Sequence, residues 1–328
     1  MSVCPSHIAI LAAAFGPFLA GCDKQDRPAT TTVSSAPATV VMVDTTPGKA
    51  ADDTAVPAEP VSYADAEAAY TARRYEDAAN LFTAYTRANP ENAWGHYMSG
   101  LSSWKAGDPE GAIGSFDEAL RLDPQHRKSL LNSSRVLLET GRPREALARV
   151  ERAMAIEPLS GEGLRLLGRT RYELKQMPEA IDAYQRAIAL DERDGWAMNN
   201  LGLIYIQQER NQDALPVLAR AAELRSGSPV FQNNLGTALE RTGHFAAASK
   251  AYQAALASDS TYGKAAASLA RVTPHLEGDT TSVDLAALST AFQSDIQRWR
   301  DSTPDTAVVQ PDSVVEPDSV MEQDSVVE

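Results

Sequence analysis

Small and bulky hydrophobic residues recur along this chain with a fixed spacing of 34 residues. One set of positions holds only alanine: Ala78, Ala112, Ala146, Ala180, Ala214 and Ala248. Small residues stand twelve positions earlier: Ala66, Gly100, Ser134, Gly168, Gly202, Gly236 and, one period further on, Ala270. Bulky residues follow each alanine by four positions: Phe82, Phe116, Val150, Tyr184, Leu218 and Tyr252. A fixed period of this length is typical of a solenoid built from stacked repeats.

Each period is predicted to form a hairpin of two helices. A small residue on each helix lets the two backbones approach closely, and the bulky residue fills the space beside them. The segments Gly107-Asp108-Pro109 and Gly141-Arg142-Pro143 fit the connecting turns, because Gly ends helices and Pro suits the first turn of the next one. A single hairpin cannot bury its apolar face, so we expect neighbouring hairpins to stack.

This spacing resembles the tetratricopeptide repeat over residues 59–262. The six predicted units are residues 59–92, 93–126, 127–160, 161–194, 195–228 and 229–262, numbered here as units 1 to 6. The resemblance implies an all-α fold, an α-solenoid of six helical hairpins, whose first helices line a concave groove. In unit 1, Arg73-Arg74 replaces the usual Gly turn, which leaves the exact turn open.

Two further helices are predicted after unit 6, in residues 263–300. Residues 263–273 resemble a seventh first helix, which Pro274 would stop. Residues 281–300 carry large apolar side chains along one side and are expected to cover the end of the stack: Leu285, Leu288, Phe292, Ile296 and Trp299. Residues 301–328 contain three acidic hexads and no Lys or Arg, so a disordered tail is predicted.

The N-terminus is predicted to be an export signal. Residues 8–19 form an uncharged apolar run that is too short to span a bilayer as a helix. Leu19-Ala20-Gly21-Cys22 resembles the lipobox of bacterial lipoproteins, which implies a signal peptide over residues 1–21 and acylation of Cys22. The location implied is the periplasmic face of the inner or outer membrane. The alternative is an ordinary buried or anchoring segment. Residues 22–58, rich in Pro, Thr and Ala, are predicted to be a disordered tether.

Charge is concentrated outside the predicted repeats. The formal net charge is −14, of which −8 lies in residues 301–328 and −3 in residues 23–60. Residues 61–300 are therefore nearly neutral, which argues against a nucleic-acid-binding surface. The only cysteines are Cys4 and Cys22, so a disulfide framework is excluded.

No catalytic or cofactor-binding pattern occurs in the sequence. The histidines after residue 22 lie far apart in the sequence, without metal-ligand spacing, and no nucleophile elbow or phosphate-binding loop is present. An enzyme with an attached repeat domain would lack space for its catalytic part. We therefore predict a protein that is not an enzyme and has no cofactor or metal.

The register of the repeats places a candidate peptide-binding set on or beside the groove. Its aromatic members are Trp94, Tyr97, Trp104, Tyr172 and Trp196, with Leu101, Leu131, Leu138, Leu203 and Ile206 beside them. Asn132, Asn200 and Asn234 share one repeat position, which resembles an asparagine ladder that grips a peptide backbone. Lys128, Arg135, Arg165 and Arg169 would form a basic spot suited to an acidic peptide. The alternatives are aromatic rings packed between repeats, asparagines without a ligand and solvated charges.

These patterns predict a membrane-anchored scaffold that binds proteins or peptides in its groove. The alternative is a self-associating structural element without a specific peptide ligand. A further prediction is that the acidic tail docks into its own or a neighbour's groove. Repeat architecture specifies a surface and not its partner, so the partner stays open.

Overall fold

The computed structural model describes residues 61–302, which form six helical hairpins followed by two further helices. The first helices of the units are α1 (Tyr63–Thr71), α3 (Ala93–Lys105), α5 (Arg127–Glu139), α7 (Gly161–Glu173), α9 (Gly195–Gln207) and α11 (Pro229–Arg241). The second helices are α2 (Tyr75–Ala88), α4 (Pro109–Leu122), α6 (Pro143–Ile156), α8 (Met177–Leu190), α10 (Asn211–Leu224) and α12 (Phe245–Ser258). The last elements are α13 (Gly263–Val272), a 3-10 turn (Thr273–His275) and α14 (Leu285–Ser302). These residues contain no strand, so the predicted all-α solenoid is confirmed.

Several predicted features lie outside the described residues. They are the signal peptide over residues 1–21, Cys22, the tether to residue 58 and the acidic tail from residue 303 onward. Acylation and tail docking therefore stay predictions. Among the helices of residues 61–302, none combines the length and apolarity needed to cross a bilayer.

Close helix pairing explains the small and bulky positions of the repeat. A Cβ atom added to Gly202 would lie 2.5 Å from the Leu218 side chain, and one added to Gly168 would lie 2.8 Å from the Tyr184 ring. Contacts shorter than 3 Å cannot be accommodated without movement, so the first helix needs glycine here. The first helices also contact each other from unit to unit, α3 with α5, α5 with α7, α7 with α9 and α9 with α11. We call the surface that they form the first-helix wall.

The turns within the hairpins share one conformation although their sequences differ. A residue with positive φ occurs once per unit: Arg73 (58°), Gly107 (85°), Gly141 (70°), Lys175 (62°), Glu209 (60°) and Gly243 (83°). In unit 1, the Arg73 N–H donates to the Tyr70 carbonyl at 2.9 Å, and Gly107 makes the same bond to Trp104 at 3.0 Å. The left-handed conformation is therefore set by the geometry of the hairpin. It occurs even at Arg73, Lys175 and Glu209, where it costs a residue with a side chain about 1 kcal/mol relative to glycine.

The end of the stack is covered by α13, which packs on α11 and α12. The predicted closing helix corresponds to α14, which lies elsewhere. It begins at Leu285 instead of residue 281, because the Asp284 side chain accepts the Ala287 N–H at 2.9 Å and caps the helix. It then packs across α8 and α10 and does not cover α13. The expectation that it closes the end of the stack was therefore wrong.

The position of α14 follows from an apolar patch on the outer side of α10. Phe292 and Ile296 of α14 are buried in one cluster with Leu215, Ala219 and Ala222 of α10. The position of Ala219 is polar in every other unit: Thr83, Asp117, Glu151, Gln185 and Gln253. Burying a large apolar side chain contributes roughly 1.5–3 kcal/mol, so α14 is favoured on the one second helix that lacks a polar residue there.

The hydrophobic core consists of two clusters. One joins buried residues of units 1 to 3, and the other joins units 4 to 6 with α13 and α14. Helix α7 contributes to both, through Leu166 to the first and Leu164 to the second. The change from one cluster to the other therefore falls at the start of unit 4.

Candidate functional site on the first-helix wall

An aromatic cluster lies at the N-terminal end of the first-helix wall. Trp94 is 42% exposed, and its indole N–H donates to the Tyr63 hydroxyl at 2.7 Å. The ring centroid of Tyr97 is 5.0 Å from that of Trp94 and 5.1 Å from that of His126. The Lys128 ammonium lies 5.5 Å from the Trp94 ring centroid, within cation–π range. Trp94 is thus held in place by its neighbours while much of its ring faces solvent.

His126 links this cluster to the start of α5. It is the N-cap residue of the helix, and the Ser129 N–H donates to its Nδ1 at 3.2 Å. Nδ1 can accept this bond only in an unprotonated ring. Burial lowers the pKa of His126; nearby Asp123 acts in the opposite direction, and Lys128 lowers the pKa further. The fold therefore uses the neutral imidazole.

We expect the protein to lose stability on acidification through this histidine. Because the pKa of His126 is lower in the folded chain than its ordinary value of 6.5, the unfolded chain takes up the proton first. The stabilisation is complete above pH 6.5 and is lost as the pH falls from there towards the folded-state pKa. Denaturant unfolding between about pH 8 and pH 5 measures this loss.

The matched control is His126→Asn, which keeps a capping side chain but does not titrate in this range. Its unfolding free energy should depend less on pH than that of the wild type. Equal slopes in the two proteins would show that His126 is not the group responsible.

Nearby carboxylates neutralise two of the predicted groove cations. Arg135 donates to Glu162 at 2.5 Å, and Arg165 donates to Asp194 at 2.8 Å. Arg169 is placed differently, since its Nε is buried without a hydrogen-bond partner among residues 61–302. The wall is therefore less basic than its cations alone predicted, because a carboxylate at the start of the next first helix pairs with each arginine.

Asn132, the first member of the predicted asparagine ladder, is used in contacts within the protein. Its side-chain Nδ2 donates to the Tyr97 hydroxyl at 3.1 Å, and its Oδ1 accepts from Arg135 at 2.7 Å. Asn132 thus bridges the first helices of units 2 and 3, and both ends of its amide have partners.

A different arrangement occurs in units 5 and 6, where α9 and α11 each carry an Asn-Asn doublet; we call these four residues the asparagine cluster: Asn199, Asn200, Asn233 and Asn234. The Asn234 amide donates to Asn199 Oδ1 at 2.9 Å, and the Asn233 amide donates to Asn234 Oδ1 at 3.3 Å. All four residues are buried, and the most exposed of them, Asn234, is 8% exposed. The cluster joins α9 to α11 on the first-helix wall.

The asparagine cluster has unused hydrogen-bonding capacity. Asn199 Nδ2, Asn200 Oδ1 and Asn233 Oδ1 have no partner among residues 61–302. Each unpaired buried group costs about 1–3 kcal/mol, so a free donor and two free acceptors are an expensive arrangement. Within residues 61–302, the cluster therefore contains one donor and two acceptors that no contact uses.

The other aromatic candidates are divided between packing and polar contacts. Trp104 donates its indole N–H to Glu139 at 2.7 Å, and Trp196 packs edge-on against Phe231 with ring centroids 4.9 Å apart. Tyr172 is partly buried, and burial raises its pKa. Four of the aliphatic residues expected on or beside the groove are buried in the core: Leu101, Leu131, Leu138 and Ile206.

Comparison with protein families identifies the repeat. Four family models, described as tetratricopeptide repeat or TPR repeat, match residues 63–127 with 233–273, 103–170, 168–208 and 195–226. Together they account for more than half of the chain and most of the described helices. The chain belongs to the tetratricopeptide repeat family. None of the four models describes an enzyme.

Two solved structures with TM-scores above 0.5 show the same fold at low sequence identity. The APC/C hetero-tetramer Cut9–Hcn1 matches at 18% identity and TM-score 0.56, covering 64% of this chain and 42% of that one. A tetratricopeptide repeat protein from Parabacteroides merdae matches at 13% identity and TM-score 0.54, covering 66% and 86%. MamA from Desulfovibrio magneticus matches at 23% identity and TM-score 0.48, covering 50% and 92%. No curated protein is significantly similar.

Two members of the asparagine cluster of this tetratricopeptide repeat protein were not among the predicted site residues. Asn199 and Asn233 each precede a predicted member, so the sequence contains two Asn-Asn doublets, Asn199-Asn200 and Asn233-Asn234, spaced by one repeat. The repetition of the doublet was the available signal. Only the second asparagine of each doublet matches the position of Asn132, which explains why the first was overlooked.

The described part of this tetratricopeptide repeat protein offers no metal site. In residues 61–302, no group of three or more His, Cys, Asp and Glu side chains could hold a metal ion. The functional candidates there are therefore the aromatic cluster and the asparagine cluster, which are separate parts of one wall.

Proposed function

We propose that this tetratricopeptide repeat protein is a scaffold that holds an extended segment of another protein along its first-helix wall. The observation that carries the proposal is the asparagine cluster, with one buried donor and two buried acceptors that lack partners. The backbone of an extended peptide offers N–H and C=O groups at regular spacing, which complements carboxamides. Binding would require the amides to turn from the interior towards the surface of the wall.

The aromatic cluster supports the same function through a side chain of the ligand. Exposed aromatic rings with a polar edge are typical anchors in protein interfaces, and Trp94 is one of the few large hydrophobic residues of the described chain that are exposed. Lys128 beside the ring adds a positive charge. The preferred segment would therefore pair a backbone held at units 5 and 6 with an apolar residue held at unit 2.

Anchoring to a bacterial membrane through acylated Cys22 is part of the proposal. It is supported by the lipobox-like Leu19-Ala20-Gly21-Cys22 and by the apolar run before it. Each buried methylene of an acyl chain contributes about 0.8 kcal/mol, so two or three chains would hold the protein firmly at the membrane. The wall would then present its ligand close to the envelope.

Selection from a displayed library of random peptides against the full chain tests this function. We expect Asn200→Ala and Asn234→Ala to weaken the selected peptides by about tenfold each, since a lost hydrogen bond leaves a peptide group unpaired. Fluorescence anisotropy of the labelled peptide measures the affinity. Fractionation of bacterial cells that express the full chain tests the anchor. Cys22→Ser should move the chain from the membrane fraction to the soluble fraction.

Asn80→Ala is the matched control, since Asn80 is exposed on α2, a second helix. Its affinity should stay within about twofold of the wild type. Peptides that bind equally well to all three asparagine variants would place the binding site elsewhere and contradict the proposal.

A further inference from the structure

Helix α14 crosses the outer side of units 4 and 5, far from its neighbours in sequence. It packs on α8 and α10 through Phe292 and Ile296, which are 0% and 2% exposed. Ser289 donates its hydroxyl to Glu223 at the edge of the contact. The helix therefore ties two adjacent units together from the side opposite the first-helix wall.

The last turn of α14 holds the end of α8. Arg300 Nε donates to the Ala189 carbonyl at 2.8 Å, and its Nη2 lies 3.2 Å from Glu192. The ion pair contributes little, because its side chains are 38% and 55% exposed and water screens them. The bond to the carbonyl matters more, since Ala189 is in the last turn of α8, where carbonyls lack helical partners.

The turn that follows α8 leads directly to the first-helix wall. It ends at Asp194, whose Oδ1 accepts the Ala197 N–H at 2.9 Å and whose Oδ2 accepts from Arg165 at 2.8 Å. The Asp194 side chain thus caps α9 and also holds α9 against α7 through its bond with Arg165. Helix α9 carries Asn199 and Asn200, so the position of this turn sets where half of the asparagine cluster lies.

We infer that α14 is a strap that positions the wall for binding, with Arg300 as the positioning residue that acts through the α8–α9 turn and Asp194. The inference rests on the proposed function of the wall, but its structural part can be measured without a ligand. The side-chain bonds of Arg300 go to α8 and the turn after it, so Arg300 would affect a bound peptide through Asp194 and α9.

The test compares Arg300→Ala with Arg300→Lys and Arg298→Ala in the full chain. Arg298 is the matched control, since its side chain is exposed on α14 and its ion pair is with Asp295 of the same helix. Hydrogen exchange over residues 191–199 should become about tenfold faster in Arg300→Ala, with exchange in α3 to α6 unchanged. Arg298→Ala should resemble the wild type, and lysine should restore part of the protection.

The labelled peptide selected against the wild-type chain gives the second readout. Its affinity should fall about fivefold in Arg300→Ala while the melting temperature changes little, a combination that a merely stabilising residue would not produce. Unchanged exchange over residues 191–199, or faster exchange throughout units 4 to 6 with a lower melting temperature, would overturn the inference. If no peptide binds the wild type, the proposed function fails, and the exchange data still decide whether Arg300 positions the turn.

Discussion

Replacing Leu218 with alanine is expected to lower the free energy of unfolding by about 2–5 kcal/mol. Leu218 is fully buried on α10 and fills the space beside Gly202 of α9. Its removal loses the transfer free energy of the side chain and leaves a cavity, which the closely packed helices can only partly close. Urea unfolding followed by circular dichroism measures the effect.

The effect of Gly202→Ala on the free energy of unfolding should change sign when Leu218 is replaced by alanine. In the wild type, Gly202→Ala places a Cβ 2.5 Å from Leu218, and the overpacking should cost about 1–3 kcal/mol. In the Leu218→Ala background this contact is gone, and alanine should then stabilise α9 by up to about 1 kcal/mol through helix propensity. The two substitutions should therefore couple strongly in a double-mutant cycle.

Gly114→Ala is the control for this cycle, because Gly114 lies in α4 and a Cβ there meets nothing within 4 Å. It should stabilise the protein by up to about 1 kcal/mol in both backgrounds. Additive effects of Gly202→Ala and Leu218→Ala would refute the close-packing explanation of the repeat.

Removing Asp194 is expected to destabilise the chain by about 2–4 kcal/mol, because one side chain performs two tasks. Asp194→Ala deletes the cap of α9, worth about 1 kcal/mol, and leaves Arg165 without its carboxylate. The Arg165 side chain is 22% exposed, so water compensates part of the lost pairing and the cost stays below that of a fully buried charge.

Asp194→Asn separates the two tasks. Asparagine caps helices as well as aspartate does but carries no charge, so its cost should lie between those of the wild type and alanine. Unfolding free energies in low and high salt provide the measurement. If asparagine and alanine cost the same, the cap contributes nothing, and the double role of Asp194 would be wrong.

The repeated part of the fold could be predicted from the sequence because its determinants are local and periodic. Each close pair, such as Gly236 with Tyr252, has counterparts every 34 residues, and this period predicts the paired helices. The turns were less predictable. Arg73, Lys175 and Glu209 adopt positive φ against their own preference, because the packed hairpin imposes it.

The path of α14 could not be derived from its own sequence. Its apolar side indicates that it packs somewhere, yet the place is decided by Ala219 on α10, more than sixty residues earlier. A helix amphipathicity pattern contains no information about its partner. Comparison of that one position between units was the available signal.

The candidate site was predicted in part. Register placed Trp94 on the wall, where the structure finds it exposed. Register could not show that Arg135 and Arg165 meet Glu162 and Asp194, since the pairs join residues 27 and 29 positions apart, each from one first helix to the start of the next. The contacts depend on how adjacent units stack, which no single repeat determines.

The return of α14 onto α8 breaks the linear order of the repeats. In a simple array each unit is held only by its neighbours, so unfolding can begin at either end and travel inward. Here α14 packs on both α8 and α10 with Phe292 and Ile296 buried, so units 4 and 5 cannot separate without also losing the contacts of α14. Fraying should therefore start at α1, and the C-terminal half should melt last, as a single cooperative block.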